Sequence, residues 1–523
     1  MSLAGDGLME EEQEDTVALL SRPDTLGPDV ATVRCVETHV SKVFIGGERV
    51  LKLKRAVRFP YLDFSTPDLR RQACEAEVTI NSRTAPDIYK GAVAVTRRAD
   101  GGVELDGGGE PVDWVVEMVR FDEDTLFDRL ASSGKLRRRA MEELADTIAH
   151  FHDGAEIRTE AGGRSGIAMI IKNNVQAFAE AGAEILDVDQ MARLGDLSHR
   201  AIERIGPILE GRRLAGSVRH CHGDLHLRNI CLVDGRPTLF DAIEFDPAFA
   251  EIDVLYDVAF LLMDLDYRKQ RRLANVTLNR YLDVTGEVSE SPGVLSALPL
   301  FLSMRAAIRS HVDAAQAAML SDPGQRARRA EEAKAYLAMA LDYLSPPPPR
   351  LIAVGGLSGS GKSRMARELA PLVGAAPGAR VVRSDVTRKR LMGVDLTDRL
   401  GPEGYVPEVT TRTFEAVYDE VRAGLADGHS VIADTVFSNP AQRDTVAGIA
   451  GEFDVPFQGL WLEAPREVME ARVTERQHNV SDATVEIVRL QQDYDLGEIL
   501  WHRIDSSGPR DATVNEGRTV LSL

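Results

Sequence analysis

Two stretches of the sequence decide the fold: HGDLHLRN at residues 222–229 and GLSGSGKS at residues 356–363. In the first, Asp224 and Asn229 stand five residues apart, and a third polar residue, Asp241, follows in the short sequence LFD. In the second, small residues lead into a lysine and a serine directly after a short apolar run. Carboxylate and amide oxygens hold divalent cations, and glycine-rich loops before a helix wrap phosphates with backbone N–H groups. The two stretches therefore predict two separate phosphate-handling sites of unrelated architecture.

The composition is that of an ordinary multidomain globular protein. The chain has 523 residues, of which 44% are hydrophobic and 28% charged, and its net charge is -20. This length predicts roughly three or four compact units. The negative charge argues against nucleic acid and anionic membranes as partners, and no apolar stretch is long enough to span a bilayer. Because the N-terminus is acidic, unlike a signal peptide, and the four cysteines form no CxxC pair, we expect a cytoplasmic protein.

Turn-rich sequences and periodicity divide the chain into five predicted segments. They are an acidic, flexible N-terminus at 1–30, a small β-rich lobe at 31–120, a helical lobe at 121–344, a proline linker at 345–349 and a P-loop domain at 350–523. The linker can neither continue a helix nor join a sheet, since proline lacks the backbone N–H. In the small lobe, alternating runs on both sides of a Gly-Gly pair predict a β-hairpin. After the linker, short apolar strands alternate with helical patterns, which predicts a parallel sheet with helices on both faces.

Asp224, Asn229 and Asp241 have the order and spacing of a kinase-type phosphoryl-transfer site. Phosphoryl transfer needs positioning and charge neutralisation more than covalent chemistry from the protein. In the kinase catalytic loop an aspartate accepts the proton of the acceptor hydroxyl, an asparagine holds Mg²⁺, and a later aspartate holds the metal that bridges the ATP phosphates. The sequence predicts these three roles for Asp224, Asn229 and Asp241, respectively.

This loop resembles that of the aminoglycoside phosphotransferase family, in which the kinase His-Arg-Asp sequence reads His-Gly-Asp. The sequence EIDVLYDVA at residues 251–259 is similar to the family's Gly-Asp-Pro-x-x-Asp-Leu-Ala segment, whose aspartates are taken as structural. The resemblance covers residues 32–344 with decreasing clarity. It implies an α+β protein-kinase-like domain of two lobes.

The ion pair that kinases form between a strand lysine and a helix glutamate has two candidates on each side. Lys52 and Lys54 point to the same face of the predicted strand RVLKLK, because strand side chains alternate. We favour Lys52 paired with Glu77, with Lys54 and Glu75 as the alternatives. Backbone groups around Met118 are predicted to hold the adenine where the small lobe ends. No GxGxxG loop joins the first two strands, so phosphate contacts there stay unassigned.

A zinc cluster is the rival interpretation of HCHGDLH at residues 220–226. The sequence contains no second group of ligands with the spacing of a metal site, so we favour the phosphoryl-transfer loop. His222 is then predicted to brace that loop.

The second stretch, Gly-x4-Gly-Lys-Ser, is a Walker A loop between a predicted strand and a predicted helix. Its small residues let backbone N–H groups wrap the phosphates, while Lys362 reaches the outer phosphates and Ser363 binds Mg²⁺. The predicted nucleotide-binding residues are Gly356, Ser358, Gly359, Ser360, Gly361, Lys362 and Ser363.

Five further residues complete the predicted second site. Asp385 follows the second strand and is predicted to orient the acceptor hydroxyl, and Asp434 ends the third strand beside the metal; helix capping is the alternative role for both. Arg472 and Arg476 lie four residues apart on one helical face and are predicted to reach the transferred phosphoryl group. Arg443 is a candidate substrate contact. This region resembles the AAA_33-type P-loop kinases, related to gluconate kinases, zeta-toxin kinases and polynucleotide kinases, which implies an α/β P-loop NTPase domain with a parallel sheet.

The whole sequence resembles bacterial bifunctional proteins that fuse an aminoglycoside-phosphotransferase-like domain to a P-loop kinase domain. The resemblance implies a phosphotransferase that uses ATP and Mg²⁺ at two active sites, with a hydroxyl of an amino sugar, aminoglycoside or polyol as the acceptor. Two alternatives stay open: the P-loop domain is a nucleotide-sensing regulatory module, or the first domain is a pseudokinase. The intact Asp224, Asn229 and Asp241 argue against a pseudokinase.

Overall fold

The computed structural model describes residues 13–59, 62–181, 184–291, 293–475 and 482–523. The chain forms two compact units, each assembled from several segments. The first consists of Met1–Leu136, His150–Gly162 and Gly216–Asp257, and the second of Arg137–Ala149, Gly163–Ala215 and Val258–Leu523. No helix in the described part of the chain is long and apolar enough to cross a membrane.

The first unit is built mainly from strands. They are β1 (Arg34–Glu37), β2 (Ser41–Gly46), β3 (Arg49–Lys54), β4 (Arg58–Phe59), β5 (Leu62–Asp63), β6 (Tyr89–Arg97), β7 (Val103–Leu105), β8 (Pro111–Val119), β9 (Val218–His220), β10 (Ile230–Val233), β11 (Arg236–Leu239) and β12 (Glu251–Asp253). Its helices are α1 (Glu14–Leu20), α2 (Pro23–Leu26), α3 (Pro67–Asn81) and α4 (Phe127–Ser132).

Six of these strands form one antiparallel sheet in the order β1-β2-β3-β8-β6-β7. The predicted hairpin is confirmed, because β2 and β3 pair from Ser41 opposite Lys54 to Gly46 opposite Arg49. An apolar cluster of Val50, Val116 and Met118 joins this sheet to Cys74 of α3 and Cys231 of β10. The strands β10 and β11 form a separate antiparallel hairpin, from Ile230 opposite Leu239 to Val233 opposite Arg236.

Among the described residues, 13–30 differ from the flexible segment predicted over residues 1–30, and residues 1–12 of that prediction lie outside the described part. Residues 14–26 form α1 and α2, and Leu20 is completely buried in a cluster with Phe44 and Leu51. Gln13 Nε2 donates a hydrogen bond of 2.8 Å to the buried Asp113. The prediction followed the acidic composition and overlooked these few apolar residues. Their burial stabilises the helices against fraying.

The second unit contains two groups of elements. Its first group is helical: α5 (Arg138–Gly154), α6 (Gly163–Ala181), α7 (Val188–Leu214), α8 (Val254–Tyr267), α9 (Arg271–Thr285), α10 (Glu287–Glu290), α11 (Val294–Met319) and α12 (Pro323–Tyr343), of which α5 and α8 extend across the unit boundaries. Its second group contains β13 (Leu351–Gly355), α13 (Lys362–Leu369), β14 (Arg380–Arg383), α14 (Ser384–Leu391), α15 (Pro407–Ala426), β15 (Val431–Asp434), α16 (Pro440–Glu452), β16 (Phe457–Glu463), α17 (Arg466–Thr474), α18 (Val485–Gln492), β17 (His502–Asp505) and α19 (Arg510–Leu521).

The five strands of the second group form a parallel sheet in the order β14-β15-β13-β16-β17. Alternate residues of β13 face opposite sides: Ile352 and Val354 lie in one apolar cluster, and Leu351 and Ala353 lie in the other. Both faces are therefore covered, as parallel sheets require. The predicted α/β arrangement after the prolines is confirmed.

Helix α9 covers one edge of this sheet. Strand β14 forms that edge and pairs with β15 on its other side only. The side-chain amide of Asn279 accepts from Val381 N at 2.8 Å and donates to Ala379 O at 3.2 Å, as a neighbouring strand would. Between them, the buried Arg380 pairs with Asp283 and Glu420 at 2.6 Å each. These contacts satisfy an edge that would otherwise expose unpaired backbone groups.

Candidate active sites

The loop after β9 carries two of the residues predicted for phosphoryl transfer in the first unit. Asn229 Nδ2 donates to Asp224 Oδ2 at 2.9 Å and to the Asp224 carbonyl at 3.0 Å. Asn229 is buried, whereas 36% of the Asp224 side chain is exposed. His226 Nε2 lies 3.3 Å from the same carboxylate. The loop thus exposes the Asp224 carboxylate to solvent, while the buried Asn229 amide holds it by donating hydrogen bonds.

A buried aspartate from later in the chain fixes the conformation of this loop. The two oxygens of Asp257 accept from His222 N at 3.0 Å and from Gly223 N at 2.9 Å, and His152 Nε2 lies 3.2 Å from Oδ2. Gly223 has a φ of 83°, and a Cβ atom there would lie 2.8 Å from Phe249 O. Glycine is therefore required between His222 and Asp224.

His222 connects the loop that carries Asp224 to the strand that leads to Asp241. Its Nε2 lies 2.9 Å from Phe240 O, and burial lowers the pKa of the His222 imidazole. In the described residues, one group of potential metal ligands includes Cys221 from the stretch that the rival zinc interpretation covers: the ligand atoms of His152, Cys221 and Asp257 lie within 4.8 Å of one another. Both Asp257 oxygens already accept backbone hydrogen bonds from the loop. We therefore assign the group of His152, Cys221 and Asp257 to stabilising the loop conformation.

The two candidate lysines share one glutamate. Lys52 Nζ lies 2.8 Å from Glu77 Oε1 and 2.6 Å from Asp241 Oδ1, and Lys54 Nζ contacts Glu77 Oε2. Glu77 is completely buried, whereas Glu75 is exposed. Geometry therefore selects Glu77 over Glu75, and it places Lys52, rather than Lys54, against the aspartate of the predicted metal site.

Pairing keeps these buried groups charged. Burial by itself lowers the pKa of Lys52, but Asp241 and Glu77 raise that pKa well above its ordinary value. Burial alone would raise the pKa of Glu77, yet Lys52 and Lys54 lower it to about 2. Lys54 also contacts Glu244, a carboxyl whose pKa is raised by burial despite this contact. Lys52 and Glu77 are thus ionised throughout the neutral range.

Asp241 is presented by an unusual backbone conformation. Its φ is 60°, a left-handed value that is uncommon for any residue other than glycine. Its N–H donates to the Tyr89 hydroxyl at 3.1 Å, and the next residue, Ala242, donates to Asn81 Oδ1 at 2.8 Å. Since 43% of the Asp241 side chain is exposed, the carboxylate is held in place and remains accessible.

The prediction for Met118 concerned backbone groups that would hold the adenine, but the structure leaves the Met118 side chain for such a contact instead. It lies on β8 between β3 and β6, and the N–H groups of the next two residues, Val119 and Arg120, donate to protein carbonyls at 2.8 Å. Its side chain packs in the apolar cluster that also contains the half-buried Phe121 and Phe240. An adenine at this place would meet an apolar wall to which Met118 contributes its side chain.

In the second unit, the candidate site depends on backbone geometry. Gly356, Gly359 and Gly361 have φ values of 138°, 85° and 96°. A Cβ atom at Gly356 would lie 2.5 Å from Leu462 O, and one at Gly359 would lie 2.7 Å from Met469 O. Both the backbone conformation and the close approach of neighbouring chain therefore exclude larger residues.

Two side chains from later in the chain hold the serines of this loop. Ser358 N donates to Gln491 Oε1 at 2.7 Å, and the Ser506 hydroxyl donates to Ser360 O at 2.6 Å. Gln491 lies on α18 and Ser506 follows β17, so no local spacing in the sequence links them to the loop. Sequence reasoning missed both.

Lys362 and Ser363 open α13 directly after this loop, and Asp434 ends the neighbouring strand β15. Asp434 is 3% exposed; its Oδ2 lies 3.4 Å from Arg383 Nε, and its Oδ1 receives no hydrogen bond from any described residue. An orphaned buried carboxylate oxygen at the carboxyl end of a parallel strand fits a divalent cation.

Asp385 lies in the first turn of α14, and this helix was not predicted from the sequence. It is half-buried, and its negative charge acts on the nearby Arg388 and Tyr405. Arg388 donates to Gly404 O at 2.7 Å, and the Tyr405 hydroxyl donates to Asp482 Oδ2 at 3.0 Å. Asp385 thus stands in a polar surrounding, and its side chain accepts no helix-capping hydrogen bond from any described residue.

The three candidate arginines have different outcomes. Arg472 contacts the loop itself, with one nitrogen 3.4 Å from Gly359 O. Arg476 lies outside the described residues. Arg443 is 4% exposed and donates to Phe437 O at 2.9 Å and to Leu496 O at 2.6 Å. The prediction that Arg443 contacts substrate is therefore wrong: its charge is buried and used to join carbonyl groups within the fold.

Comparison with known families agrees with both halves of this description. Residues 52–291 match the family described as phosphotransferase enzyme family, and residues 351–494 match a family described as an AAA domain. The first region thus matches a phosphotransferase family and the second a P-loop family, which indicates a kinase-type enzyme. The predicted fold class is confirmed: a kinase-like phosphotransferase domain precedes an α/β P-loop domain with a parallel sheet.

Similar proteins cover either the whole chain or one of the two domains. An uncharacterized protein of Mycobacterium tuberculosis strain H37Rv is 28% identical over 494 residues, which are 92% of this chain and 93% of the relative. A choline/ethanolamine kinase family protein from Mesorhizobium loti is 12% identical, covers 63% of this chain and 99% of its own, and has a TM-score of 0.35. A sugar kinase from a Janibacter species is 21% identical, covers 34% of this chain and 95% of its own, and has a TM-score of 0.25.

Proposed function

We propose that this enzyme transfers phosphoryl groups from ATP, with Mg²⁺, at two kinase-type active sites, and that each acceptor is a hydroxyl of a small molecule. Amino sugars, aminoglycosides and polyols are the acceptor classes that the phosphotransferase domain suggests. The observation that carries the proposal is the meeting of Lys52, Glu77 and Asp241, because the 2.6 Å contact joins residues 189 positions apart. A lysine held between a buried glutamate and an accessible aspartate has little use other than holding phosphates and their metal.

In the first site, each residue receives one role. Asp224 accepts the proton of the acceptor hydroxyl, and its hydrogen bond from Asn229 aims the carboxylate. Lys52, fixed by Glu77, neutralises the ATP phosphates. Asn229 and Asp241 are the residues that would hold Mg²⁺ here, and Met118 forms part of the adenine wall.

In the second site, Gly356, Ser358, Gly359, Ser360 and Gly361 supply the backbone cradle for the phosphates. Lys362 and Arg472 neutralise the outer phosphates, and Arg476 is proposed to join them. Ser363 and Asp434 would hold Mg²⁺, and Asp385 orients the acceptor hydroxyl. When bound at either site, Mg²⁺ neutralises charge that develops on the transferred phosphoryl group.

The test uses the full chain, because both sites can then be silenced in one background. ADP release with a panel of amino sugars, aminoglycosides and polyols is measured for wild type, Asp224→Ala, Asp385→Asn and the double variant. Each single variant should lose about a hundredfold or more of the turnover supported by its own acceptor, in line with general-base contributions, and ATP affinity should stay near wild type. The exposed Asp124→Ala is the matched control and should behave as wild type.

Two results would contradict the proposal in different ways. Wild-type turnover in Asp224→Ala with its acceptor would show that this loop is not the catalytic loop. If no acceptor stimulates turnover that depends on Asp385, and ATP still binds at the P-loop, the second domain is a nucleotide-sensing module instead of a kinase.

A further inference from the structure

The N-terminal segment, residues 13–26, packs on one face of the six-stranded sheet, and α3 packs on the other. The apolar cluster on the first face contains three leucines of the segment and two of strand β3: Leu19, Leu20, Leu26, Leu51 and Leu53. On the same strand, Lys52 points the other way and meets Glu77 of α3 at 2.8 Å. Because strand side chains alternate between faces, β3 lies between the segment and α3.

One polar side chain of this segment reaches into the interior. Gln13 is 5% exposed, and its Nε2 donates to Lys54 O at 2.9 Å and to Asp113 Oδ2 at 2.8 Å. Its Oε1 accepts from Ala56 N at 2.8 Å. Both N–H donors of the amide are therefore used, and they join the end of β3 to β8.

Asp113 connects this amide to helix α3. Its Oδ1 accepts from Arg70 Nε at 2.6 Å, and Arg70 Nη1 donates to Phe64 O at 2.9 Å. Arg70 and Asp113 are only 2% and 1% exposed. Separating a buried ion pair leaves charges without partners, so this contact fixes the place of the first turn of α3.

Arg70 and Glu77 lie on the same side of α3. They are seven residues apart, which is close to two turns of an α-helix, and both are buried. The place of Arg70 therefore determines where Glu77 lies relative to β3. Gln13 holds both elements, β3 through the Lys54 carbonyl and α3 through Asp113.

The two kinds of contact made by the segment have different consequences. Burial of its leucines stabilises the fold, but apolar contact has no preferred direction and tolerates small shifts. The hydrogen bonds of Gln13 have narrow limits of length and angle. The amide, more than the leucines, therefore sets the distance between β3 and α3.

We propose that Gln13 is a positioning residue for the first candidate site: it fixes β3 and α3 relative to each other and so sets the contact of Lys52 with Glu77. The segment precedes the region that matches the phosphotransferase family, residues 52–291, and is then part of what holds the nucleotide phosphates. This inference rests on the proposed function, because it takes Lys52 as the residue that neutralises those phosphates.

The test measures nucleotide affinity on the full chain, with Lys362→Ala present to weaken binding at the P-loop. Gln13→Met keeps the length of the side chain and removes all three hydrogen bonds. Titration calorimetry with AMP-PNP and Mg²⁺, at a temperature where circular dichroism shows each variant folded, should show affinity reduced about tenfold, as misplacement of a charged contact predicts. Gln13→Ala, which leaves space for water at the same polar groups, should show the same loss if Gln13→Met does not fold.

Leu26→Ala is the matched control within the same segment. Leu26 is 4% exposed, so its truncation should lower the unfolding temperature, as loss of buried apolar atoms does, and leave AMP-PNP affinity unchanged. Equal affinities for Gln13→Met and its parent would overturn the proposal. An equal loss of affinity in Leu26→Ala would also overturn it, because general loosening of the segment would then be the cause.

A double-mutant cycle with Lys52 separates a positioning role from a structural one. Lys52→Met should weaken AMP-PNP binding, and Gln13→Met added to it should cause no further loss, because the effect of Gln13 acts through the lysine. Additive losses would assign Gln13 to another role and contradict the inference.

Failure of this inference and failure of the proposed function give different results. If Lys52→Met weakens AMP-PNP binding and Gln13→Met does not, only the positioning role of Gln13 is overturned. If Lys52→Met binds AMP-PNP as tightly as its parent, Lys52 does not hold phosphates, and the proposed function of the first site fails together with the inference that rests on it.

Discussion

The two candidate sites differ in the means by which they would hold phosphates. The first site relies on side-chain charges: Lys52, Lys54, Glu77 and Asp241 lie in contact, and Glu77 is completely buried between the lysines. The second site relies on the backbone, because its loop has three glycines with positive φ, and neighbouring carbonyls leave no space for a Cβ atom at two of them.

This difference predicts which changes each site tolerates. A site made of paired charges is sensitive to the loss of one charge, because its partners are then left buried and unpaired. A site made of backbone N–H groups is sensitive to added atoms, because a shift of the loop displaces every donor together. The following variants test this contrast, from the largest expected effect to the smallest.

Glu77→Gln should have the largest effect, because it leaves Lys52 and Lys54 facing each other without their shared counter-charge. Removing one partner of a buried ion pair destabilises a protein by about 3–5 kcal/mol. Urea unfolding should show a loss of this size, together with a loss of phosphoryl transfer at the first site. The exposed Glu75→Gln, two residues earlier on the same helix, should change stability by less than about 0.5 kcal/mol. Similar stabilities for both variants would contradict the side-chain description of this site.

Gly359→Ala should disturb the second site without removing any charge. At a φ of 85°, alanine is strained, and its Cβ would lie 2.7 Å from Met469 O and 2.8 Å from Met469 Cβ. Strain of this kind costs about 1–3 kcal/mol, so nucleotide affinity of the P-loop should fall about tenfold or more. Equilibrium dialysis with AMP-PNP in a Lys52→Ala background would measure the P-loop with the first site weakened.

The helical Gly448→Ala serves as the control for this variant, since nothing lies within 4 Å of a Cβ atom there. It should leave nucleotide affinity unchanged and stability equal or slightly higher. If Gly359→Ala binds AMP-PNP as tightly as Gly448→Ala, the close packing of the loop is not what limits residue size.

The smallest effect concerns acid pH. Burial, reinforced by the charge of Arg380, lowers the pKa of His429 to about 4, although the Gly378 carbonyl opposes this shift. Between about pH 6.5 and pH 4 the unfolded chain therefore binds a proton that the folded chain does not, and stability falls as the pH decreases through that window. At pH 5 the loss is about 2 kcal/mol relative to pH 7.5.

His429→Gln should remove this acid-dependent loss, whereas the exposed His199→Gln should retain it. Urea unfolding at pH 7.5 and pH 5, followed by tryptophan fluorescence, measures the difference. Glu77 itself should contribute almost nothing to it, because that carboxylate, with a pKa of about 2, stays ionised in the folded chain at both pH values and is mostly ionised in the unfolded chain at pH 5 as well. An equal acid-dependent loss in wild type and His429→Gln would exclude this histidine as its cause.

Local sequence determined those features whose chemistry is local. The spacing of Asp224 and Asn229, the Walker A loop and the hairpin around Gly46 each lie within a few residues, where backbone geometry leaves few alternatives. Burial at the chain start was missed, because an acidic composition says nothing about where Leu20 packs.

Tertiary structure alone decided which distant side chains meet. Alternation placed Lys52 and Lys54 on one face, but only packing of α3 against the sheet brought Glu77, and not Glu75, between them. Likewise, Gln491 and Ser506 reach the P-loop through the fold, and Arg443 is turned inward by the carbonyls around it. The physical reason is that a motif specifies local backbone geometry, whereas the partner of a buried charge is set by whichever groups the completed fold excludes from water together with it.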